Sequence, residues 1–316
     1  MTDIDGHIPV MMTEVLETLA PKDGDIIVDG TFGGGGYTRH ILASADCRVI
    51  GIDRDPDAVA RGRALEKEEP RFQMIEGRFG DIKTLLENHD IGRVDGFVLD
   101  IGVSSFQLDQ AARGFSFMQD GPLDMRMSQS GESAADIVNT YDEKEIADIL
   151  YKYGDERKSR RIASAIVAQR EQTPFTRTLE LADLIEGVLG RKRKPKDPHP
   201  ATRSFQALRI AVNDEMGELE RALDSSIEIL KAGGRCVVVS FHSTEDRIVK
   251  RFFREKSGDV PRGSRHMPVQ KPKNELYWYD CPERRARASK SGEIENNVRA
   301  RSAKLRYGIR TAHQVG

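Results

Sequence analysis

The segment Asp25-Ile26-Ile27-Val28-Asp29 leads into Gly30-Thr31-Phe32-Gly33-Gly34-Gly35-Gly36 and then into Tyr37-Thr38-Arg39-His40-Ile41-Leu42. A short apolar run, a glycine-rich turn and a helically spaced segment read as strand, turn and helix. A second apolar run, Arg48-Val49-Ile50-Gly51-Ile52, ends in Asp53. Two strands joined through a helix of about ten residues form a βαβ unit with a right-handed crossover and parallel strands. Phe72-Gln73-Met74-Ile75 supplies a third strand and Val94-Asp95-Gly96-Phe97-Val98-Leu99-Asp100 a fourth. The first hundred residues are therefore expected to build a doubly wound, Rossmann-like α/β sheet.

Beyond Asp100 the alternation stops. Apolar residues take helical spacing at Ile146, Ile149, Leu150 and Tyr153, at Ile162, Ile166 and Val167, and at Leu181, Leu184, Ile185 and Val188. The run Arg191-Lys192-Arg193-Lys194-Pro195-Lys196-Asp197-Pro198-His199-Pro200 then predicts an exposed basic loop, since no helix tolerates its prolines. Phe205 to Leu230 reads as one long helical segment stopped at Ala232-Gly233-Gly234, followed by a buried parallel strand, Arg235-Cys236-Val237-Val238-Val239-Ser240-Phe241. The sheet thus resumes, and the expected organisation is a discontinuous sheet domain, 1–105 and 209–316, with an inserted all-helical domain at 106–208. Residues 254–298 look loop-rich, except that Tyr277, Trp278 and Tyr279 could stack on bases or form a hairpin core. Ala303-Lys304-Leu305-Arg306-Tyr307-Gly308-Ile309 alternates like an edge strand.

A chain of 316 residues accommodates two such domains. No stretch approaches the ~20 apolar residues of a membrane span and the N-terminus lacks a signal-peptide pattern, so a cytoplasmic protein is expected. Cys47, Cys236 and Cys281 are too dispersed for a disulfide framework or a cysteine zinc site. The net charge of −2 conceals segregation. Residues 1–150 carry 14 Lys/Arg against 29 Asp/Glu, and 214–246 carry 3 against 8. Residues 151–213 carry 14 against 7, and 247–310 carry 18 against 7. An acidic body with two basic surfaces suits a polyanionic partner.

Glycines at 33–36 let a ligand approach the backbone at a helix N-terminus, and Asp53 supplies the acceptor expected for two ribose hydroxyls. A nucleoside-containing cofactor follows, either NAD or S-adenosylmethionine. Asp29 would oppose a pyrophosphate but suits a positive methionine end, and Asp100 would close the fourth strand beside the same crevice. Three acidic strand ends favour the cationic cofactor.

These residues, together with His7-Ile8-Pro9-Val10, Asp53-Arg54-Asp55, Leu99-Asp100-Ile101-Gly102-Val103-Ser104-Ser105, Arg113-Gly114-Phe115-Ser116-Phe117, Gly121-Pro122-Leu123-Asp124-Met125-Arg126-Met127, Ser204-Phe205-Gln206-Ala207-Leu208-Arg209-Ile210, Ser240-Phe241-His242-Ser243 and Arg301-Ser302-Ala303-Lys304-Leu305-Arg306, carry a resemblance over nearly the whole chain. The sequence resembles the RsmH (MraW) family of S-adenosylmethionine-dependent methyltransferases. Tyr37, Phe106 and Val298 depart from common family residues. The resemblance implies a class I methyltransferase sheet and methylation of the exocyclic N4 of a cytosine in 16S ribosomal RNA, at the decoding centre of the small ribosomal subunit. It implies S-adenosyl-L-methionine contacts at Gly35, Gly36, Tyr37, Asp53, Phe79, Asp100 and Gln107. Phe79 suits stacking beside adenine, or a core position.

In-line methyl transfer needs alignment and exclusion of water rather than a metal. An acceptor for the amine proton would help the nitrogen become tetrahedral. Asp100 is the first candidate, and Asp124 and His242 are alternatives from motifs with no clear packing role. The inserted helical domain is expected to recognise substrate, and Arg191, Lys192, Arg193, Lys194, Arg299 and Arg301 are the expected RNA contacts. An NAD-dependent dehydrogenase and a noncatalytic RNA-binding factor are the competing readings. The sequence leaves the oligomeric state open.

Overall fold

The computed structural model describes residues 9–190, 198–258 and 277–313, and divides them into two compact units. The first comprises residues 1–102 with 216–316, and the second residues 103–215.

In the first unit the apolar runs become β1 (Ile26–Asp29), β2 (Arg48–Asp53), β3 (Phe72–Glu76), β4 (Val94–Asp100) and β5 (Leu230–Ser240), all parallel. Two-residue strands β6 (Tyr279–Asp280) and β7 (Arg287–Ala288) and the longer β8 (Lys304–Arg310) complete the sheet. The order is β3-β2-β1-β4-β5-β8-β6, with β7 also on β8. Because successive side chains alternate between faces, β1 sends Ile27 to one side and Val28 to the other. Val28, Ile50, Phe97 and Leu99 pack with Leu86, Leu219 and Phe252. Ile27, Val49, Val98 and Val239 pack with Val15, Ile41 and Leu65. Both faces are thus covered, as a parallel sheet requires, and each fully buried aliphatic side chain contributes roughly 1.5–3 kcal/mol. The strand order reverses between β1 and β4, which opens a crevice beyond their carboxyl ends.

Two expectations need correction here. Residues 304–310 are not an edge strand: β8 runs antiparallel to β5 and carries β6 and β7 on its other side. Tyr279 is no stacking platform, being 1% exposed with its hydroxyl 2.6 Å from Ser226 Oγ. Trp278 is half-buried beneath the Arg310 guanidinium, 4.8 Å from its ring centre.

The second unit is helical, with a core from Ile146, Leu150, Ile162, Ile166, Leu181 and Ile185 on the expected faces. The long helix expected from Phe205 to Leu230 is two helices, Thr202–Asn213 and Glu215–Ile229. Asp214 breaks it with a left-handed φ of 49°. The second unit extends to Glu215, because Phe205, Ala207 and Leu208 pack in the helical core; a boundary at 208/209 would cut that helix. Ala232-Gly233-Gly234 lies within β5, past the helix end at Ile229. No disulfide joins the three cysteines. Among the described residues no helix is long and apolar enough to cross a membrane.

Candidate active site

The turn after β1 is built by close packing. Gly35 has φ +78°, and a Cβ there would lie 2.8 Å from the Phe32 ring. Phe32 is itself stacked on Phe72, 5.2 Å between centres. Gly36 then opens the helix Gly36–Ser44, whose first N–H groups face the crevice end of the sheet. The Tyr37 side chain is buried and donates from its hydroxyl to Val10 O at 2.5 Å, so only its backbone borders the turn.

Asp53, at the tip of β2, anchors this turn. Its Oδ2 accepts from Gly33 N–H at 2.8 Å and its Oδ1 from Asp55 N–H at 2.9 Å. A carboxylate offers about four acceptor sites, so each oxygen keeps capacity for a ribose hydroxyl. The side chain is part-exposed at the crevice, while desolvation raises its pKa against the backbone hydrogen bonds.

Asp29 ends β1 but is 1% exposed. It accepts from Thr38 Oγ1 at 2.8 Å and from Thr31 N–H at 3.3 Å, and burial pushes its pKa up to about 6. Its influence on a cationic ligand is therefore a field effect rather than a contact. Asp100, at the tip of β4, donates its backbone N–H to Thr31 Oγ1 at 2.7 Å, tying the first and fourth strand ends together. Phe79 sits half-buried in the turn Phe79–Asp81 after β3, beside Gly30. Asp29, Asp53, Phe79 and Asp100 thus converge on the switch point.

His242 follows β5 and begins the helix Ser243–Lys256. Its Nε2 lies 2.6 Å from Oε1 of fully buried Glu245, whose other oxygen accepts from the Phe241 and His242 N–H groups. Glu245 closes the helix N-terminus by accepting those two backbone N–H groups, and the His242 ring packs against its other oxygen.

In the second unit, Asp124 also has a packing role, contrary to expectation. Its carboxylate receives the Arg126 guanidinium fork, at 3.0 and 2.6 Å, and the Arg126 N–H at 2.9 Å. Burial would raise its pKa, but the Arg126 hydrogen bonds and charge hold it below the usual carboxylate range. The two motifs around it interlock: Met125 N–H donates to Arg113 O, and a Cβ on Gly114 would strike Pro122 O at 2.1 Å. Gln107 is buried, and its Oε1 accepts the Ser104 N–H at 3.0 Å in a capping box.

Of the expected RNA contacts, Arg191 to Lys194 lie outside the described residues, and Arg301 is exposed. Arg299 belongs to the short turn Val298–Ser302. Sequence reasoning missed Glu218, a buried carboxylate 2.6 Å from Arg54 and 3.1 Å from Arg78.

The donor set fits a cofactor with ribose hydroxyls and a cationic end: free acceptor capacity at Asp53, acidic strand ends, and a glycine turn with no phosphate-binding lysine. A doubly wound sheet with this set at its switch point defines a class of nucleoside-cofactor enzymes. The chain belongs to the MraW methylase family, whose model matches residues 5–310. It is 56% identical over 306 residues to ribosomal RNA small subunit methyltransferase H of Hyphomonas neptunium, covering 97% of this chain and 89% of that one. It is 57% identical over 308 residues to the protein of the same name from Parvibaculum lavamentivorans, covering 97% and 90%. With that of Rhodospirillum rubrum the identity is 56% over 315 residues, covering 98% and 96%. The chain is accordingly an S-adenosylmethionine-dependent methyltransferase, and the dehydrogenase reading falls.

Proposed function

We propose that this chain methylates the exocyclic N4 of a cytosine in 16S ribosomal RNA, at the decoding centre of the small ribosomal subunit in the cytoplasm. The reading is carried by the end-to-end family match of a chain that retains Asp29, Asp53 and Asp100 at adjacent strand ends.

S-adenosylmethionine supplies, when bound, a methyl carbon made electrophilic by its sulfonium. The protein's task is alignment and exclusion of water, with no metal. When the cofactor is bound, Asp53 would hold the ribose, Phe79 would lie against the adenine, and the turn at Gly35 and Gly36 would bring backbone to the methionine end. The cytosine amine has its lone pair delocalised into the ring. Asp100 accepts a hydrogen bond from that amine and takes its proton as the nitrogen becomes tetrahedral. Gln107 caps its own segment through the Ser104 N–H. Asp124 holds the interlocked loops of the second unit, which recognises the RNA with the basic tract at 191–194 and the arginines at 299 and 301.

Mass spectrometry of 16S nucleosides from cells with and without the protein tests the reading. N4-methylated cytidine should disappear without it, and an unchanged nucleoside profile would sink the proposal.

A further inference from the structure

Several described cations of the basic segment 247–310 are engaged within the protein. Arg287 is paired with Glu283, and Lys290 lies 3.2 Å from Glu14. Lys304 and Arg306 share Asp246, at 3.1 and 2.7 Å, and Arg310 is buried, donating to Ile227 O at 2.7 Å. These charges serve the fold.

Arg247 and Lys250 are different. Both are exposed, and neither has an ion pair among the described residues. They lie on the helix Ser243–Lys256, whose opposite face buries Glu245, Val249, Phe252 and Phe253. Ser243, Arg247, Lys250 and Arg254 recur at i, i+4, i+7 and i+11, so they form one exposed stripe. On the flank, Arg251 is paired with Glu220 of Glu215–Ile229 at 2.7 Å.

The position of this helix matters as much as its charge. It starts at His242, directly after β5, and β5 pairs Val239 with Asp100. At 1.5 Å per residue, Arg247 and Lys250 lie roughly 7 and 12 Å along the axis from that start. The stripe therefore leads away from the strand end that holds the proposed proton acceptor. Arg247 and Lys250 carry charge that is not paired among the described residues, so they complement a polyanion held at the crevice.

We infer that Arg247 and Lys250 seat the phosphate backbone of the RNA strand whose cytosine enters the crevice at Asp100. This rests on the RNA methyltransferase reading above. Splaying one base into a pocket leaves the flanking backbone to be held, and phosphate contacts fix that register without reading sequence.

The test compares the full-length wild type with R247A/K250A and with K22A/R93A. The control removes the same charge before β1 and β4, at the opposite end of the strands. Binding to unmethylated 16S ribosomal RNA, and to small subunits from cells lacking the enzyme, is measured between 50 and 200 mM salt. For R247A/K250A the slope of log K against log[salt] should fall by about 1–2, with affinity roughly tenfold weaker. The control should bind RNA like wild type, and calorimetric affinity for S-adenosylhomocysteine should be unchanged in both. A wild-type slope in R247A/K250A, or an equal loss in the control, overturns the inference. Weaker binding to subunits with unchanged binding to free RNA also overturns it, assigning the stripe to a ribosomal protein instead. If wild type neither binds nor methylates ribosomal RNA, the functional reading itself fails and the inference with it.

Discussion

The Glu218 carboxylate, with no solvent exposure, lies 2.6 Å from the Arg54 guanidinium, whose side chain is 9% exposed. Arg54 sits between Asp53 and Asp55 in the loop after β2, and Arg78, which Glu218 also reaches, immediately precedes Phe79 after β3. One buried acid thus ties together the loops that carry Asp53, the proposed ribose acceptor, and Phe79, the proposed adenine-side ring. Removing one member of a buried ion pair strands the other, typically at roughly 3–5 kcal/mol. Glu218→Ala should lower the melting temperature substantially. Glu218→Gln, which keeps the shape, should fold and bind S-adenosylhomocysteine more weakly, with kcat at saturating cofactor near wild type. An unchanged cofactor affinity in folded Glu218→Gln would disconnect this acid from the site.

Asp53→Ala should weaken cofactor binding by about ten- to a hundredfold, the value of hydrogen bonds to a charged acceptor at roughly 1.5–3 kcal/mol. Because Asp53 also accepts the Gly33 N–H, the turn should loosen as well. Calorimetry on the folded variant decides. An affinity equal to wild type removes Asp53 from the ribose.

Much of the candidate cofactor site is legible in the sequence because each acidic residue ends an apolar run, and a parallel strand order turns those ends into neighbours. Glu218 is not legible: it stands 164 residues from Arg54, and a glutamate near a helix start looks like any solvated charge. The inner position of β8 is hidden because its outer partners, Tyr279–Asp280 and Arg287–Ala288, are too short to show a period. The helix break at Asp214 depends on a left-handed residue in an otherwise continuous helical pattern. The interlocking of residues 113–127 depends on backbone proximity at Gly114, which spacing does not encode.

The raised pKa of Asp29 has two consequences of opposite sign. Burial puts it at about 6 in the folded protein against an ordinary 3.8. Its contribution to stability is therefore greatest below pH 3.8 and is lost as pH rises through about 6. Cofactor binding runs the other way, because only the ionised form attracts a sulfonium. As pH falls from 8 to 5.5, where roughly a quarter of Asp29 stays ionised, the preference for S-adenosylmethionine over uncharged-sulfur S-adenosylhomocysteine should narrow by about two- to threefold for an interaction of ~1 kcal/mol. Asp29→Asn should show the narrowed ratio at every pH. A ratio in the variant that equals wild type at pH 8 would end the field argument.

Asp124→Asn should act on folding. It retains an acceptor for the Arg126 N–H but loses the charge-assisted fork, at roughly 1–3 kcal/mol. Since the folded pKa is depressed, the wild-type advantage should be present at neutral pH and vanish as pH falls below the usual carboxylate range. Denaturation at pH 7 and pH 3 measures both. A large fall in kcat with unaltered stability would make Asp124 a chemical group instead.

Asp100→Asn separates proton acceptance from binding. The amide keeps the shape and one acceptor oxygen, and the backbone N–H that reaches Thr31 is untouched, so the crevice should keep its form. An amide cannot take the amine proton, which then has to leave to water from a nitrogen whose lone pair is delocalised. General-base assistance is worth about 10²–10⁴ in rate. Single-turnover methylation of small subunits at saturating cofactor should fall within that range, while affinity for S-adenosylhomocysteine changes much less. A loss confined to affinity, with the rate at saturation intact, would show that Asp100 orients the ligand and that the proton leaves by another route.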